Sequence, residues 1–327
     1  MTAQADPPDP AAVREVLADV GEDPGELELK EIEGGASRQT FLVAVGGDPR
    51  WVLRREPAEG MSFAPLELEL RAIAAADLAG CAVAPTVASE PAGGRFGDGA
   101  GYLMEFVDGT SIAPRVLRRD ELAVARERLP GQMAAALAQI HSVPATQVEG
   151  LAGGEDPALE ACELWEAALD EIGEPLPGVE AGLRWLRLNR PEPVEPALVH
   201  GDFRLGNLIV DARGLAAVID WELCHAGDPA EDLAWLCIRS WRFGNDELPV
   251  AGLGALEPFL EAYEADGGAR PDADRLRWWE AMGNVKWAAI CARQAHDHLT
   301  GARPSAELAS LGRRICEPEW DLLGLVG

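Results

Sequence analysis

The chain has 327 residues, 47% of them apolar and 26% charged, enough to bury a sizeable core in one two-lobed unit or two closely coupled domains. Its 28 basic against 56 acidic residues leave a formal charge of −28, which argues against nucleic acid or an anionic membrane as partner, since both need a basic surface. The surplus is compatible with a cationic substrate, although a diffuse acidic surface more often serves only solubility.

Met1 to Pro10 is polar and Pro-rich, without the basic start and apolar middle of a signal peptide. No apolar run approaches the roughly 18 residues of a membrane span. The six cysteines (Cys81, Cys162, Cys224, Cys237, Cys291, Cys316) form no C-x-x-C pair and read as free thiols in a reducing cytoplasm. Cys224, His225 and Cys237 match no standard zinc spacing.

Val13, Val16, Leu17 and Val20 recur at a helical period over 10–20, ended by Gly21 and Pro24. Three strands follow at 27–32, 40–45 and 51–54, with a glycine turn, Gly34-Gly35-Ala36-Ser37, between the first two and a hairpin turn at Gly46 to Pro49 between the others. No helix follows the glycines, which disfavours a Rossmann fold; between antiparallel strands such a turn can offer backbone N–H groups to phosphates. A helix is predicted over 65–78, with Leu66, Leu70, Ile73 and Ala74 on its apolar face, then strands over 83–89 and 101–106. The first 107 residues thus make a five-stranded antiparallel sheet with one helix packed against it. Beyond Gly109 the chain reads as mostly helical: 120–141, which Pro130 should break or kink, then 159–172, 179–188, 256–263, 272–299 and a last helical segment over 305–323.

The most informative stretch lies between these helices. His200-Gly201-Asp202 leads to Asn207, five positions after Asp202, and an apolar run, 215–219, ends in Asp220-Trp221-Glu222. An Asp and an Asn at that spacing can set a base and a hard oxygen ligand on opposite sides of one phosphoryl group. Asp220, delivered by the next strand end, is a second hard carboxylate for Mg²⁺, and Arg204 can neutralise charge on the transferring group. Isolated acids of this kind usually cap turns; the ordered set favours chemistry.

His200-Gly201-Asp202-x-x-x-x-Asn207, Ile219-Asp220-Trp221-Glu222 and Gly227-Asp228-Pro229-x-x-Asp232-Leu-Ala together resemble the aminoglycoside phosphotransferase, or choline-kinase-like, family of small-molecule kinases. The resemblance covers nearly the whole chain. It implies an α+β, protein-kinase-like fold of two lobes, a nucleotide-binding lobe over 1–107 and a helical catalytic and substrate-binding lobe over 108–327. It implies ATP, or GTP, with Mg²⁺ as cofactors, Asp202 as catalytic base, and Asn207 and Asp220 as metal ligands. Gly34 to Ser37 resembles the family's nucleotide loop, and Tyr102 to Gly109 its hinge, which implies adenine contacts through the backbone of Glu105 and Val107. His200 is expected to support the loop, and Asp228 and Asp232 to cap and brace rather than touch substrate. The third strand, Trp51-Val52-Leu53-Arg54, departs from the commonest pattern by placing Arg where kinases usually place Lys. A subgroup of the family has a similar Val-Leu-Arg strand, including kinase-like domains associated with acyl-CoA metabolism. Strand alternation selects Arg54 over Arg55. The resemblance implies Glu69 as its helix partner, with Glu67 second.

Asp228 follows Asp220 by eight positions, too few for a long activation loop and peptide-docking segment, so a small-molecule hydroxyl is the expected acceptor rather than a protein. The alternative from another class is a nucleotide-binding pseudokinase, favoured only by Arg54. The acceptor is expected to contact 150–190 and 240–300. An aminoglycoside-like antibiotic would need an acidic pocket, which Glu160, Glu163, Glu166, Asp170 and Glu171 could line or equally present to solvent. A hydroxylated metabolite or hydroxyacyl compound is as plausible. Trp278, Trp279 and Trp287 read as core, and His296 and His298 point to different helix faces.

Overall fold

The computed structural model describes residues 7–32, 38–56, 65–151 and 153–327. Helix α1 (Pro10–Asp19) starts with Asp9 accepting a hydrogen bond from the Ala11 N–H and with Pro10 in its first turn. Strands β1 (Leu27–Glu31), β2 (Gln39–Val45), β3 (Asp48–Arg55), β4 (Thr86–Glu90) and β5 (Gly101–Glu105) form an antiparallel sheet in the order β1-β2-β3-β5-β4. Alternation along the strands sends Phe41, Val43, Trp51, Leu53 and Leu103 into one core with Val13, Val16 and Leu17 of α1. Arg54 pairs in register with Tyr102 and meets helix α2 (Leu66–Leu78) on the opposite side. Strand β4 begins three residues later than the sequence suggests, because Val83 makes only an isolated bridge, to Val218.

The buried stripe of α2 differs from the expected one. It comprises Leu66, Glu69, Ala72, Ile73 and Ala76, whereas Leu70 is half-buried and Ala74 is exposed. An ion-pair partner across the interface holds Glu69 inward, and this rotates the helix away from its most apolar face.

The remainder is mainly helical: α3 (Ala113–Arg118), α4 (Ala123–His141), α5 (Pro157–Ile172), α6 (Pro177–Leu188), α7 (Ala230–Trp235), α8 (Leu256–Ala265), α9 (Ala273–Leu299), α10 (Ala306–Leu311) and α11 (Cys316–Val326). Pro130 does not split α4. A proline inside a helix costs about 3 kcal/mol, but Leu129, Met133, Ala134, Leu137 and Ile140 are buried on the same helix and hold it together. The C-terminal segment, expected as one helix, is two, divided by a 3₁₀ turn at Gly312–Arg314. The turn lets the two halves meet different partners. Gly312 lies against Ala295 of α9, and Leu322 of α11 packs onto Gly182 of α6.

Two small strand pairs sit among the helices: β6 (Ala197–Val199) with β9 (His225–Gly227), and the hairpin β7 (Leu208–Asp211)–β8 (Gly214–Val218). Strand β9 was not expected. The hairpin is tied to the sheet's connections at two places. Thr110 and Val210 exchange backbone bonds of 2.9 and 3.0 Å, and the Val218 N–H donates to Ala82 O at 2.8 Å. The loop ends on either side of the hairpin therefore open toward β3, β5 and α2.

Candidate active site

The turn after β6 carries His200, Gly201 and Asp202. Gly201 has φ +78°, and a Cβ there would lie 2.3 Å from Leu223 O, so both conformation and space require glycine. Asp232 of α7 anchors this turn, accepting from the N–H groups of His200 (2.8 Å) and Gly201 (2.9 Å) and contacting His141 Nε2 at 3.2 Å. Asp228 caps the start of α7 through the Ala230 N–H (2.9 Å) and binds Trp279 Nε1 (2.8 Å) and Arg275. Asp232 thus braces the loop, while Asp228 fixes the start of α7 against α9. His200 is fully buried; its Nε2 meets Ile219 O at 3.1 Å, and its Nδ1 accepts the Asp202 N–H at 3.1 Å. Burial pushes its pKa down against the pull of Asp232, which keeps it a neutral spacer between the two halves of the site.

The Asp202 carboxylate receives donors from three directions: Asn207 Nδ2 (2.6 Å to Oδ2), Arg204 Nε (3.0 and 3.2 Å) and Trp235 Nε1 (2.9 Å to Oδ1). Asn207 also donates to Asp202 O at 2.9 Å, so its amide nitrogen faces the loop and its Oδ1 takes no hydrogen bond among the described residues. Arg204 lies 4.8 Å over the Trp241 ring.

Asp220 follows β8 with φ +67°, uncommon for a non-glycine residue and a form of strain that clusters at functional sites. Its Oδ1 accepts from Arg54 at 2.6 Å. Burial alone would raise the Asp220 pKa, but the Arg54 guanidinium outweighs it and holds the carboxyl below its usual range. Arg54 also reaches Glu69 Oε1 at 3.2 Å, and Tyr102 donates its hydroxyl to the same oxygen at 2.7 Å. Arg38, just before β2, contacts the other oxygen of Glu69. Glu67 is exposed, and Arg55 turns to the other side, binding Gln39 and Phe96 O. A pocket between sheet and hairpin is lined by Arg54, Tyr102, Met104, Val218, Ile219 and Asp220 among others.

Asn207 Oδ1 and the Asp220 carboxylate make a hard-oxygen donor pair, the chemistry Mg²⁺ takes when phosphates and water complete its shell. At the sheet's exit the Glu105 N–H donates to Pro85 O at 2.9 Å, while the Val107 N–H has no partner among the described residues. Ser37 and the glycine turn before it lie outside the described residues.

The structure thus groups Asp202, Arg204 and Asn207 in one hydrogen-bonded set and Asp220, Arg54 and Glu69 in another, with Arg204 close enough to Asp220 for their charges to interact. Sequence reasoning missed Arg38, Tyr102, Trp235 and Lys286. The first two depend on register and helix orientation. Lys286 was legible as a lone charge within a buried run of α9, Val285 to Ala289.

Residues 28–279 match the description "Phosphotransferase enzyme family". The chain belongs to that family. Over 91% of its length it is 28% identical to acyl-CoA dehydrogenase family member 10 of Mus musculus, of which it spans 29%. A candidate aminoglycoside phosphotransferase from Ralstonia eutropha superposes with a TM-score of 0.74 at 23% identity, covering 98% of this chain and 99% of that one. A spectinomycin phosphotransferase solved with ADP and spectinomycin gives 0.66 at 14% identity, covering 97% and 99%. At these identities the two structures establish a shared kinase-like fold.

Proposed function

We propose that this phosphotransferase moves the γ-phosphoryl group of ATP, or of GTP, to a hydroxyl of a small molecule, with Mg²⁺. The observation that carries the reading is the pair of hydrogen-bonded sets Asp202–Asn207–Arg204 and Arg54–Asp220, with Arg204 near enough to Asp220 for their charges to interact. In this reading the acceptor oxygen forms a bond to the γ-phosphorus as the bond to the β,γ-bridging oxygen breaks. The hydroxyl proton passes to the Asp202 carboxylate, whose three donors fix its direction, and the nucleoside diphosphate leaves. Asn207 and Asp220 would hold the metal, which when bound neutralises charge on the phosphates. Arg54 and Arg204 add guanidinium charge around the transferring group, and Glu69 sets the reach of Arg54. The Glu105 carbonyl and Val107 N–H would read the base edge, with Ser37 near the phosphates.

Residues 1–107 act as the nucleotide lobe and 108–327 as the catalytic and acceptor lobe. The short interval from Asp220 to the start of α7 supports a small acceptor over a polypeptide. On α5, Glu166 pairs with Arg187, Glu171 with Arg293, and Glu160 accepts the Gly154 N–H. Those partners leave less acid for a polycationic antibiotic and favour a hydroxylated metabolite or hydroxyacyl compound, in keeping with the name of the mouse relative. All six cysteines are free thiols, five of them buried, which suits the cytoplasm. No helix among the described residues is long and apolar enough to cross a membrane.

The test is nucleotide binding with and without Mg²⁺, then phosphoryl transfer across a panel of hydroxylated compounds. Asp202→Ala should bind nucleotide like the wild type and lose roughly 10²–10⁴-fold in turnover. Failure to bind ATP or GTP in the presence of Mg²⁺ would end the phosphotransferase reading; binding without transfer to any acceptor would favour a pseudokinase.

A further inference from the structure

Against the Asp202 carboxylate lies a buried assembly that belongs to none of the motif positions. Trp235, the last residue of α7, is 1% exposed and donates its indole N–H to Asp202 Oδ1 at 2.9 Å. Its ring is held on two sides, by Trp241 at 5.2 Å between centroids and by Lys286 Nζ at 4.8 Å. Lys286 is one of two lysines in the chain and is 3% exposed. It donates to the carbonyl of Gly201, the residue before Asp202, and to Glu231 Oε1 at 3.0 Å. The other Glu231 oxygen lies 3.0 Å from His225 Nε2. Gly283 lets α9 come this close, because a Cβ there would lie 3.4 Å from the Trp235 ring and 3.0 Å from Ile238.

A buried ammonium must recover its lost hydration from partners, and an apolar residue of similar volume is often no less stable. Lys286 is therefore a costly way to fill space. What it does that an apolar side chain cannot is fix two things at once: the backbone carbonyl one residue before the base, and the face of the indole that holds the base. Three donors converge on the Asp202 carboxylate, and Trp235 is the one that reaches it from the rigid helical side rather than from the same loop.

We propose that Trp235 and Lys286 act as a pair of positioning residues for Asp202, Trp235 setting the direction of its carboxylate and Lys286 locking both Trp235 and the Gly201 carbonyl. The inference rests on the phosphotransferase reading, in which Asp202 meets the acceptor hydroxyl. A carboxylate free to rotate would present its open lone pairs away from the acceptor oxygen, and small misplacements of reacting groups cost turnover rather than binding.

Trp235→Phe keeps an aromatic ring against Lys286 and Trp241 and removes only the N–H. Its kcat should fall roughly 10- to 100-fold while the KM for ATP stays within about twofold. Lys286→Met should show the same split, the double variant should be little worse than the poorer single, and Lys286→Arg should recover part of the loss. Thermal melts identify any variant that fails to fold. Independently of turnover, the Trp235 indole N–H resonance, assigned by its disappearance in Trp235→Phe, should shift in both Asp202→Ala and Lys286→Met. Wild-type kcat in Trp235→Phe, or an indole resonance unmoved by Asp202→Ala, overturns the inference and leaves the phosphotransferase reading intact. A wild-type protein that binds no nucleotide sinks the phosphotransferase reading, and the indole resonance then still decides whether the brace exists.

Discussion

Glu69 is where charge from two arginines meets between the sheet and α2. It is fully buried, with Arg54, Arg38 and the Tyr102 hydroxyl around one carboxylate. Removing one member of a buried ion pair leaves the other desolvated and is more costly than any surface change. Glu69→Ala should therefore lose roughly 3–5 kcal/mol in urea unfolding. Tyr102→Phe removes one hydrogen bond to a charged group and should lose about 1.5–3 kcal/mol. A loss below about 1 kcal/mol for Glu69→Ala would mean the carboxylate is not compensated as described. The choice of Arg54 over Arg55 was readable from strand alternation, whereas that of Glu69 over Glu67 rested on the family resemblance. The participation of Arg38 was not readable, since no local pattern says that the residue before β2 reaches across to α2.

At the scale of elements, α7 and the turn it anchors make the most specific demands. Burial alone would raise the Glu231 carboxyl, but Lys286 and His225 outweigh it and hold it at about 2, below its ordinary 4.5. A depressed carboxyl contributes its stability fully above pH 4.5 and loses it as pH falls toward 2. His225 is shifted the other way: burial would lower it, but Glu231 raises it above its ordinary 6.5, so its contribution is complete below that value and lost as pH rises through the shifted one. The urea midpoint should accordingly decline on the acid side between pH 4.5 and 2, and Glu231→Gln should flatten that decline. Gly201→Ala tests the turn itself. The left-handed backbone costs an alanine roughly 1–2 kcal/mol before any clash with Leu223 O, so stability and turnover should fall together. The helix starts at Asp9-Pro10, Asp156-Pro157 and Asp272 follow from capping chemistry within a few residues, which is why sequence places them closely. Continuity through Pro130 and the division at Gly312 depend on distant partners, and there local rules failed.

On the scale of the whole molecule, the sheet and the helical part meet through the hairpin β7–β8, whose backbone bonds to Thr110 and Ala82 hold the segments carrying Asn207 and Asp220 near the sheet. A ligand bound at that junction stabilises both sides. Nucleotide with Mg²⁺ at 100 times its Kd should raise the unfolding free energy by about 2.7 kcal/mol, read as a higher Tm that EDTA lowers again. No shift with any nucleotide would contradict a site at the junction.

The sequence by itself determined the sheet and most of the helices, the α+β class, the spacing of Asp202, Asn207 and Asp220, and Arg54 as the strand cation expected to face them. These depend on local periods, turn chemistry and short fixed spacings, all of which act within a few residues of chain. Only the tertiary structure decided that α2 buries Glu69 in place of Ala74, that Arg38 shares that carboxylate, and that Trp235 and Lys286 brace Asp202. Those contacts join residues from 31 to 85 positions apart. Which of several charged or aromatic side chains meets which partner is then set by how whole elements pack, a choice that no local spacing encodes.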